Sequence, residues 1–153
     1  MKGLSFWIKN ARSTSLMQSV MPAIVAVVLA ANAPDFSLWA AVISVLGVAA
    51  AHLGMNLADD YFDYKVGTSE SRKHLVRQGF RARLVKYPYL TDDSASVRDL
   101  KLAIVLFLAF AAVLGGCIIA FRSWYVIPIV LITLFLGIFY SAEPLKLSYR
   151  GLG

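Results

Sequence analysis

The sequence predicts an all-α fold, a polytopic bundle of membrane-spanning helices, and three observations support this prediction. The 153-residue chain is 59% hydrophobic and 16% charged, and its mean hydropathy is +0.68. A soluble domain usually carries about 25% charged residues. The apolar residues are also gathered in long uncharged stretches, with the basic residues between them. We therefore expect the lipid bilayer to surround most of the chain.

Four stretches are long enough to cross a bilayer, which takes about 20 mostly apolar residues in a helix. They are Leu16–Ala33, Phe36–Ala58, Leu102–Phe121 and Trp124–Ala142, and none contains Lys, Arg, Asp or Glu. The first is long for the apolar part of a signal peptide, and further spans follow it. We expect a helix stop at Gly67 and a cytoplasmic cap loop over residues 64–100. The pair Gly115–Gly116 predicts close helix packing.

The basic residues predict the orientation of the chain. Three precede the first span, nine lie between the second and third spans, and two follow the fourth. Four spans place all of these on one side, and of the fifteen basic residues only Arg122 falls opposite. Because cytoplasmic loops are rich in Lys and Arg, we expect a multi-pass protein of the cell inner (plasma) membrane with a cytoplasmic N-terminus. This distribution also explains the net charge of +6 without a nucleic-acid partner.

Candidate chemistry lies at the end of the second span, on what we call the aspartate face: Asn56, Asp59, Asp60 and Asp63. Their spacing of i, i+3, i+4 and i+7 puts them on one side of a helix. Carboxylates this close repel one another unless a cation lies between them. Mg²⁺ prefers oxygen ligands and commonly joins carboxylates to a substrate phosphate. The alternative is an acidic helix end neutralised by loop arginines, but ionisable residues at membrane depth favour a site.

Basic residues of the predicted cap loop complement the aspartate face. Arginine and lysine suit diphosphate oxygens, and anionic lipid headgroups are the alternative ligand. The candidates are Arg72, Lys73, Arg77, Arg81, Arg83 and Lys86. Tyr140 and Lys146 come to the same predicted side after the fourth span. His52 lies one turn before Asn56 and is a candidate acceptor contact, although a lone histidine in a span is more often hydrogen-bonded to a neighbour.

The segment Asn56-Leu-Ala-Asp-Asp-Tyr-Phe-Asp63, followed by Gly67, resembles the first Asp-rich motif of the UbiA superfamily of intramembrane prenyltransferases. It is most similar to the Asn-Leu-Ala-Asn-Asp-Tyr-x-Asp form of the 1,4-dihydroxy-2-naphthoate polyprenyltransferases of menaquinone synthesis. Three further segments are similar to family segments in the same order. They are residues 6–16, the cap-loop residues Arg72–Lys86, and residues 140–153 with their Pro-Leu-Lys and Gly-Leu-Gly. The commoner family motif differs, since it has Asp at the positions of Leu57 and Tyr64.

The resemblance implies Mg²⁺-dependent transfer of a polyprenyl group from a polyprenyl diphosphate to an aromatic acceptor, here 1,4-dihydroxy-2-naphthoate. The implied metal ligands are Asn56, Asp60 and Asp63 with Asp59, and the implied catalytic residues are Asp60, Asp63, Tyr140 and Lys146. The implied substrate contacts are Arg12, His52, Arg72, Arg77, Arg81, Arg83 and Lys86. Because the family has nine helices and two Asp-rich motifs, we expect these four spans to be the N-terminal part of one domain, inactive without a C-terminal half.

Other functions stay open on the residues alone. A CDP-alcohol phosphotransferase is also a membrane enzyme with an Asp motif, but its Asp-Gly-x-x-Ala-Arg signature is absent from the sequence. A cation channel or transporter with an acidic mouth would place charges or broken helices at mid-membrane, and the four stretches contain no such charge. A non-catalytic membrane subunit would have no need of the aspartate face.

Overall fold

The computed structural model describes residues 2–67, 87–91, 94–121, 124–141, 144–145, 147 and 150, and within them the chain forms helices and turns without a strand. The α-helices are α1 (Leu4–Asn10), α2 (Met17–Ala30), α3 (Leu38–Val66), α4 (Pro88–Thr91), α5 (Val97–Phe121) and α6 (Ile127–Ser141). Short 3₁₀ turns, Ser13–Ser15 and Trp124–Val126, precede α2 and α6. The prediction of an all-α fold is confirmed for this part of the chain.

Three of these helical segments are long and apolar enough to cross a membrane. They are Ser13–Ala30, Leu38–Lys65 and Val97–Phe121, and they match the first three predicted spans. The predicted fourth span is shorter, because α6 has 15 residues. Its length of about 22 Å compares with about 30 Å for the hydrocarbon core of a bilayer, so the fourth span stays a prediction.

The helix α3 continues beyond the predicted end of the second span. That span was expected to end at Ala58, but the helix runs on to Val66 and carries the whole aspartate face. It stops at Gly67, whose φ of 74° lies in the left-handed region that glycine adopts without strain. The predicted stop is therefore confirmed. The predicted loop over 64–100 is wrong at both ends, because α3 enters it and α5 begins at Val97.

The helix α3 packs antiparallel against α5. A Cβ added at Gly47 would lie 3.7 Å from Leu114 Cβ, and one at Gly54 would lie 2.8 Å from Leu108 Cδ2. A residue with a Cβ at Gly54 would therefore require the Leu108 side chain to shift. At Gly115–Gly116 an added Cβ would meet nothing within 4 Å in the described part of the chain. The prediction that this pair permits close packing is therefore wrong there.

The buried core lies at one end of the bundle. It draws on α1, the second half of α3, the segment around α4 and the first turns of α5. Its members are Trp7, Ala11, Leu53, Leu57, Tyr87, Tyr89, Leu90, Ala95, Leu100 and Ala103. By contrast, α2 buries none of its residues. This core fixes the ends of three helices beside the aspartate face, so it positions the candidate site.

Candidate functional site

Polar side chains collect at the end of the bundle that holds the core. The turn after α1 supplies Arg12, α3 supplies His52 and the aspartate face, and α4 supplies Tyr89. These elements come from the beginning, middle and later part of the described chain. Their convergence was not visible in the spacing of the residues, which relates only positions on one helix. We call this group, together with Ser15 and Ser19, the polar cluster.

Arg12 lies between two of the predicted metal ligands. Its Nη2 donates to Asp60 Oδ1 and also to Asp59 Oδ2, the latter at 3.3 Å. Asp60 is fully buried, whereas the side chains of Arg12 and Asp59 are partly exposed. Burial lowers the pKa of the Arg12 guanidinium, but the two carboxylates outweigh it and the net pKa is raised. In the described part of the chain, the guanidinium thus brings a positive charge to both carboxylates.

The backbone at Arg12 is held in an uncommon shape. Its φ of 56° and ψ of 51° are left-handed, a region that residues with a Cβ rarely adopt. Ser15 Oγ donates to the Arg12 carbonyl at 2.8 Å, and Asn56 Nδ2 donates to the Ala11 carbonyl at 3.0 Å. The Ser15 bond closes the turn on itself, and the Asn56 bond ties the turn to α3. Both bonds hold the backbone of the turn and do not involve the Arg12 side chain.

The second oxygen of Asp60 has its own donor, the hydroxyl of Tyr89 at 3.0 Å from Oδ2. Burial first, and then the charge of Asp60, raise the pKa of Tyr89 far above its usual range. The hydroxyl therefore keeps its proton and continues to donate. The rings of Trp7 and Phe6 pack edge-on against Tyr89. The Asp-rich pattern does not predict a role for this tyrosine. The sequence feature that could have indicated it is the apolar run Tyr87-Pro-Tyr89-Leu90, which follows the basic residues of the predicted cap loop.

His52 is enclosed by hydrogen-bond partners. Its Nδ1 lies 2.7 Å from Ser19 Oγ, and its Nε2 lies 3.0 Å from Ser15 Oγ and 3.0 Å from Asn56 Nδ2. These contacts tie the start of the first span to α3. They are those expected of a histidine bonded to its neighbours, and its role toward an acceptor stays a prediction.

Asn56 and Asp63 complete the aspartate face in different ways. The carbonyl of Ala11 can only accept, so the Asn56 atom that faces it must be the donor Nδ2. The oxygen Oδ1 of Asn56 therefore points away from the Ala11 carbonyl and can act only as an acceptor. Asp63 is 3% exposed, and the Tyr87 hydroxyl lies 3.4 Å from its backbone carbonyl.

The aspartate face offers the oxygen donors that Mg²⁺ prefers. Among the described residues, however, no three His, Cys, Asp or Glu side chains are grouped so that they could hold a metal ion. Arg12 stands where a cation between Asp59 and Asp60 would stand, and Tyr89 takes the other oxygen of Asp60. The carboxylates have the chemistry and charge that a divalent cation requires, but the described residues do not group them as a metal site.

Tyr140 lies in the last turn of α6. An added Cβ at Gly137 would lie 3.3 Å from Met55 Cε, and Trp39 contacts Phe121 at the opposite end of α3. Thus α6 runs in the same direction as α3, and Tyr140 reaches about one turn beyond Met55, at the level of the aspartate face. The other predicted contacts, Arg72, Lys73, Arg77, Arg81, Arg83, Lys86 and Lys146, lie outside the described residues.

An apolar groove of about 580 Å³ lies next to the polar cluster. Helices α1, α3 and α5 form its walls, with Leu53 and Phe107 among the lining residues and Lys2 and Asp99 as the charged ones. Trp7 lines the groove and also contacts Tyr89, which bonds Asp60. Contacts through Trp7 and Tyr89 therefore link the wall of the groove to the buried carboxylate.

The described residues form helices and turns, three helices are long and apolar enough to cross a membrane, and at one end Arg12 pairs with the buried Asp60 and the partly exposed Asp59. No protein-family model, curated protein or solved structure matches the chain. The likeness to the UbiA superfamily therefore rests on the residues of the motifs themselves.

Proposed function

We propose that the protein is a Mg²⁺-dependent prenyltransferase. It would move a polyprenyl group from a polyprenyl diphosphate to an aromatic acceptor, 1,4-dihydroxy-2-naphthoate. The observation that carries this proposal is the aspartate face on a membrane-spanning helix, with a cation, Arg12, already between Asp59 and Asp60. A charged cluster beside an apolar groove suits a substrate with an anionic head and a hydrocarbon tail. The likeness of the motif to the UbiA superfamily supports the same assignment.

The proposal places the polar cluster on the cytoplasmic side of the cell inner membrane. Contacts of Arg12 with Asp60, and of Tyr89 with Asp60, bring the chain before the first span, the end of α3 and the residues before α5 to one end of the bundle. Most of the basic residues lie in or next to these segments, and an excess of Lys and Arg is typical of cytoplasmic segments. In this arrangement α6 is the fourth span of a larger, nine-helix bundle of the UbiA type.

The reaction breaks the bond between the allylic carbon and the diphosphate oxygen, and the diphosphate leaves with the electron pair. A ring carbon of the acceptor then forms the new C–C bond, and the ring loses a proton or, from a naphthoate, carbon dioxide. Mg²⁺ would neutralise the charge that develops on the diphosphate. Arg12, Tyr140 and Lys146 would donate to the departing oxygens. The apolar walls of α3 and α5 would keep water from the allylic cation.

Binding is the first test, because the family likeness implies further helices for turnover. Binding of a radiolabelled prenyl diphosphate to the purified chain in micelles is measured with and without Mg²⁺. We expect Mg²⁺-dependent binding that is lost in Asp60→Asn and Asp63→Asn. Asp35→Asn, in the exposed turn at the opposite end, is the matched control and should bind normally. Turnover with 1,4-dihydroxy-2-naphthoate is then assayed on the same preparations. Binding that is indifferent to Mg²⁺ and to both variants would contradict the proposal.

A second candidate is a non-catalytic membrane subunit. The observation in its favour is that both carboxylate oxygens of Asp60 already have donors, Arg12 and Tyr89, as in a purely structural clasp. On this hypothesis Asp60→Asn lowers stability, and the chain binds no prenyl diphosphate in the presence of Mg²⁺. The same experiment therefore separates the two candidates.

A further inference from the structure

We propose that the apolar groove between α1, α3 and α5 binds one acyl chain of a phosphatidylethanolamine molecule, with the headgroup held between Lys2 and Asp99. The inference goes beyond the proposed function and does not depend on it. None of the residues that line the groove belongs to the aspartate face, although α3 contributes to both. The ligand is therefore a structural lipid and not a reactant.

The groove reaches from the polar end of the bundle into the membrane half. Along α5 its lining residues run from Asp99, in the first turn, to Phe110, a rise of about 17 Å. Half of the hydrocarbon core of a bilayer is about 15 Å thick. The stretch of α5 that lines the groove thus matches the depth that the tail of a lipid occupies in one leaflet.

The walls of the groove are of the kind that a hydrocarbon chain contacts. Leu102, Leu106 and Phe110 are large apolar side chains that are left exposed on α5, and Leu46 is exposed on α3. A polyprenyl tail suits the same apolar walls, so the walls alone do not select the ligand. The contacts of the headgroup distinguish the two occupants.

Lys2 and Asp99 select the headgroup, because they are the charged residues that line the groove and have opposite signs. No ion pair joins them in the described part of the chain. Arg98 and Lys101, the basic neighbours of Asp99, are not among the lining residues. A phosphate beside Lys2 and an ammonium beside Asp99 would form charge-assisted hydrogen bonds with both. A headgroup with negative charge alone would be repelled by Asp99.

Neighbouring groups hold both charges in place. Lys2 Nζ lies over the Phe6 ring, 5.7 Å from its centroid. Asp99 Oδ2 lies 2.8 Å from Ser96 Oγ in the turn that begins α5. Phosphatidylethanolamine carries a phosphate and a primary ammonium group in one headgroup. The trimethylammonium group of phosphatidylcholine has no N–H to donate to a carboxylate, so phosphatidylethanolamine is the better match.

The test is native mass spectrometry of the full chain in detergent micelles with equal amounts of phosphatidylethanolamine, phosphatidylglycerol and phosphatidylcholine. We expect one retained lipid, mainly phosphatidylethanolamine. Asp99→Asn should reduce its preference over phosphatidylglycerol about threefold, the size expected of an exposed charge pair. Lys2→Gln should weaken retention of all three lipids. Lys9→Gln removes the same charge from an exposed position of α1 outside the groove and should behave as the wild type.

Two outcomes of this experiment would overturn the proposal. One is retention of the three lipids without preference. The other is a preference that Asp99→Asn leaves unchanged. Leu106→Trp places a larger side chain in the groove and should remove the retained lipid, whereas Leu29→Trp, on the exposed surface of α2, should keep it.

A second measurement uses the wild type and guards against misfolding of the variants. A phosphatidylethanolamine with a photoactivatable diazirine in its acyl chain is crosslinked to the chain in micelles, and mass spectrometry locates the products. Crosslinks should concentrate on the groove residues of α3 and α5, and farnesyl diphosphate with Mg²⁺ should not reduce them. Crosslinks of equal yield on α2 would indicate only a lipid annulus, and loss with farnesyl diphosphate would assign the groove to a substrate tail. Either result overturns the proposal, while the proposed function is judged separately by Mg²⁺-dependent binding that requires Asp60.

Discussion

The two halves of the bundle differ in what surrounds their side chains. At the end with the aspartate face, aromatic, aliphatic and charged residues are buried together, and Asp60 is among the most buried. Toward the other end, large apolar side chains such as Leu29, Phe121 and Trp124 are exposed. This is the reverse of a soluble protein, in which charges lie outside and large apolar groups lie inside. The apolar half has the surface of a protein that lipid covers.

This difference in surroundings indicates which end of the bundle contributes more to the stability of the fold. Lipid tails are as apolar as leucine, so burial against another helix gains little in the membrane half. Lipid tails cannot replace the hydrogen-bond partners at the polar end, because a buried donor or acceptor that loses its partner is left unsatisfied. We therefore expect substitutions at the polar end to change the free energy of unfolding far more than substitutions of similar size in the membrane half.

The largest expected effect is that of Asp60→Ala. It removes the acceptor of the Tyr89 hydroxyl and the buried one of the two carboxylates that Arg12 contacts, so the guanidinium keeps only the longer contact with Asp59 among the described residues. Removal of one partner of a buried pair costs about 3–5 kcal/mol, and we expect about 3 kcal/mol because Arg12 is partly exposed. Denaturant titration in mixed micelles, followed by circular dichroism, measures the free energy of unfolding. Leu29→Ala, in the exposed apolar half, is the control and should cost within about 0.5 kcal/mol. Equal losses of unfolding free energy in Asp60→Ala and Leu29→Ala would contradict the expected difference between the two halves.

The sequence predicts the membrane half of the bundle better than the contacts of the polar end. Uncharged stretches predict the first three spans, because a helix in lipid has to be apolar on all sides. Gly67 predicts the end of α3, since its left-handed φ is a local property. The partners of Asp60 are different, because Arg12 and Tyr89 are 48 and 29 residues away. Periodicity relates residues on one helix, and only the packing of α1, α3 and α4 brings these three together.

A smaller effect is expected for Tyr89→Phe, which removes one bond to a charged acceptor and costs about 1.5 kcal/mol. The raised pKa of Tyr89 also gives this effect a pH dependence. Below pH of about 10 the hydroxyl is protonated in both the folded and the unfolded chain. Above it the unfolded chain ionises while the folded one does not, so stability falls as pH rises.

The pH dependence gives the measurement. The free energy of unfolding of the wild type and of Tyr89→Phe is determined in micelles at neutral pH and above pH of about 10. The wild type should lose more stability than the variant over this interval, and the difference between them should shrink. Parallel losses would mean that the Tyr89 hydroxyl is not the buried donor to Asp60.

The smallest effect compares two serines that each precede a long spanning helix, one at either end of the bundle. Ser96 forms a capping box at the start of α5: its Oγ lies 2.8 Å from Asp99 Oδ2, and Asp99 N–H donates to Ser96 Oγ at 3.1 Å. Ser37 stands at the N-cap of α3 and makes no side-chain cap bond. The two substitutions to alanine are chemically identical, so they differ only in the bonds removed.

We expect Ser96→Ala to cost about 1 kcal/mol, the usual loss for an N-cap serine, because the first-turn amide of Asp99 loses its acceptor. Ser37→Ala should cost nearly nothing, since no cap bond is present to lose. The free energies of unfolding of both variants are compared with the wild type in one micelle composition. An equal cost at the two positions would mean that the apolar end also depends on directional bonds. A cost confined to Ser96 would extend the contrast between the two halves from the buried cluster to its exposed rim.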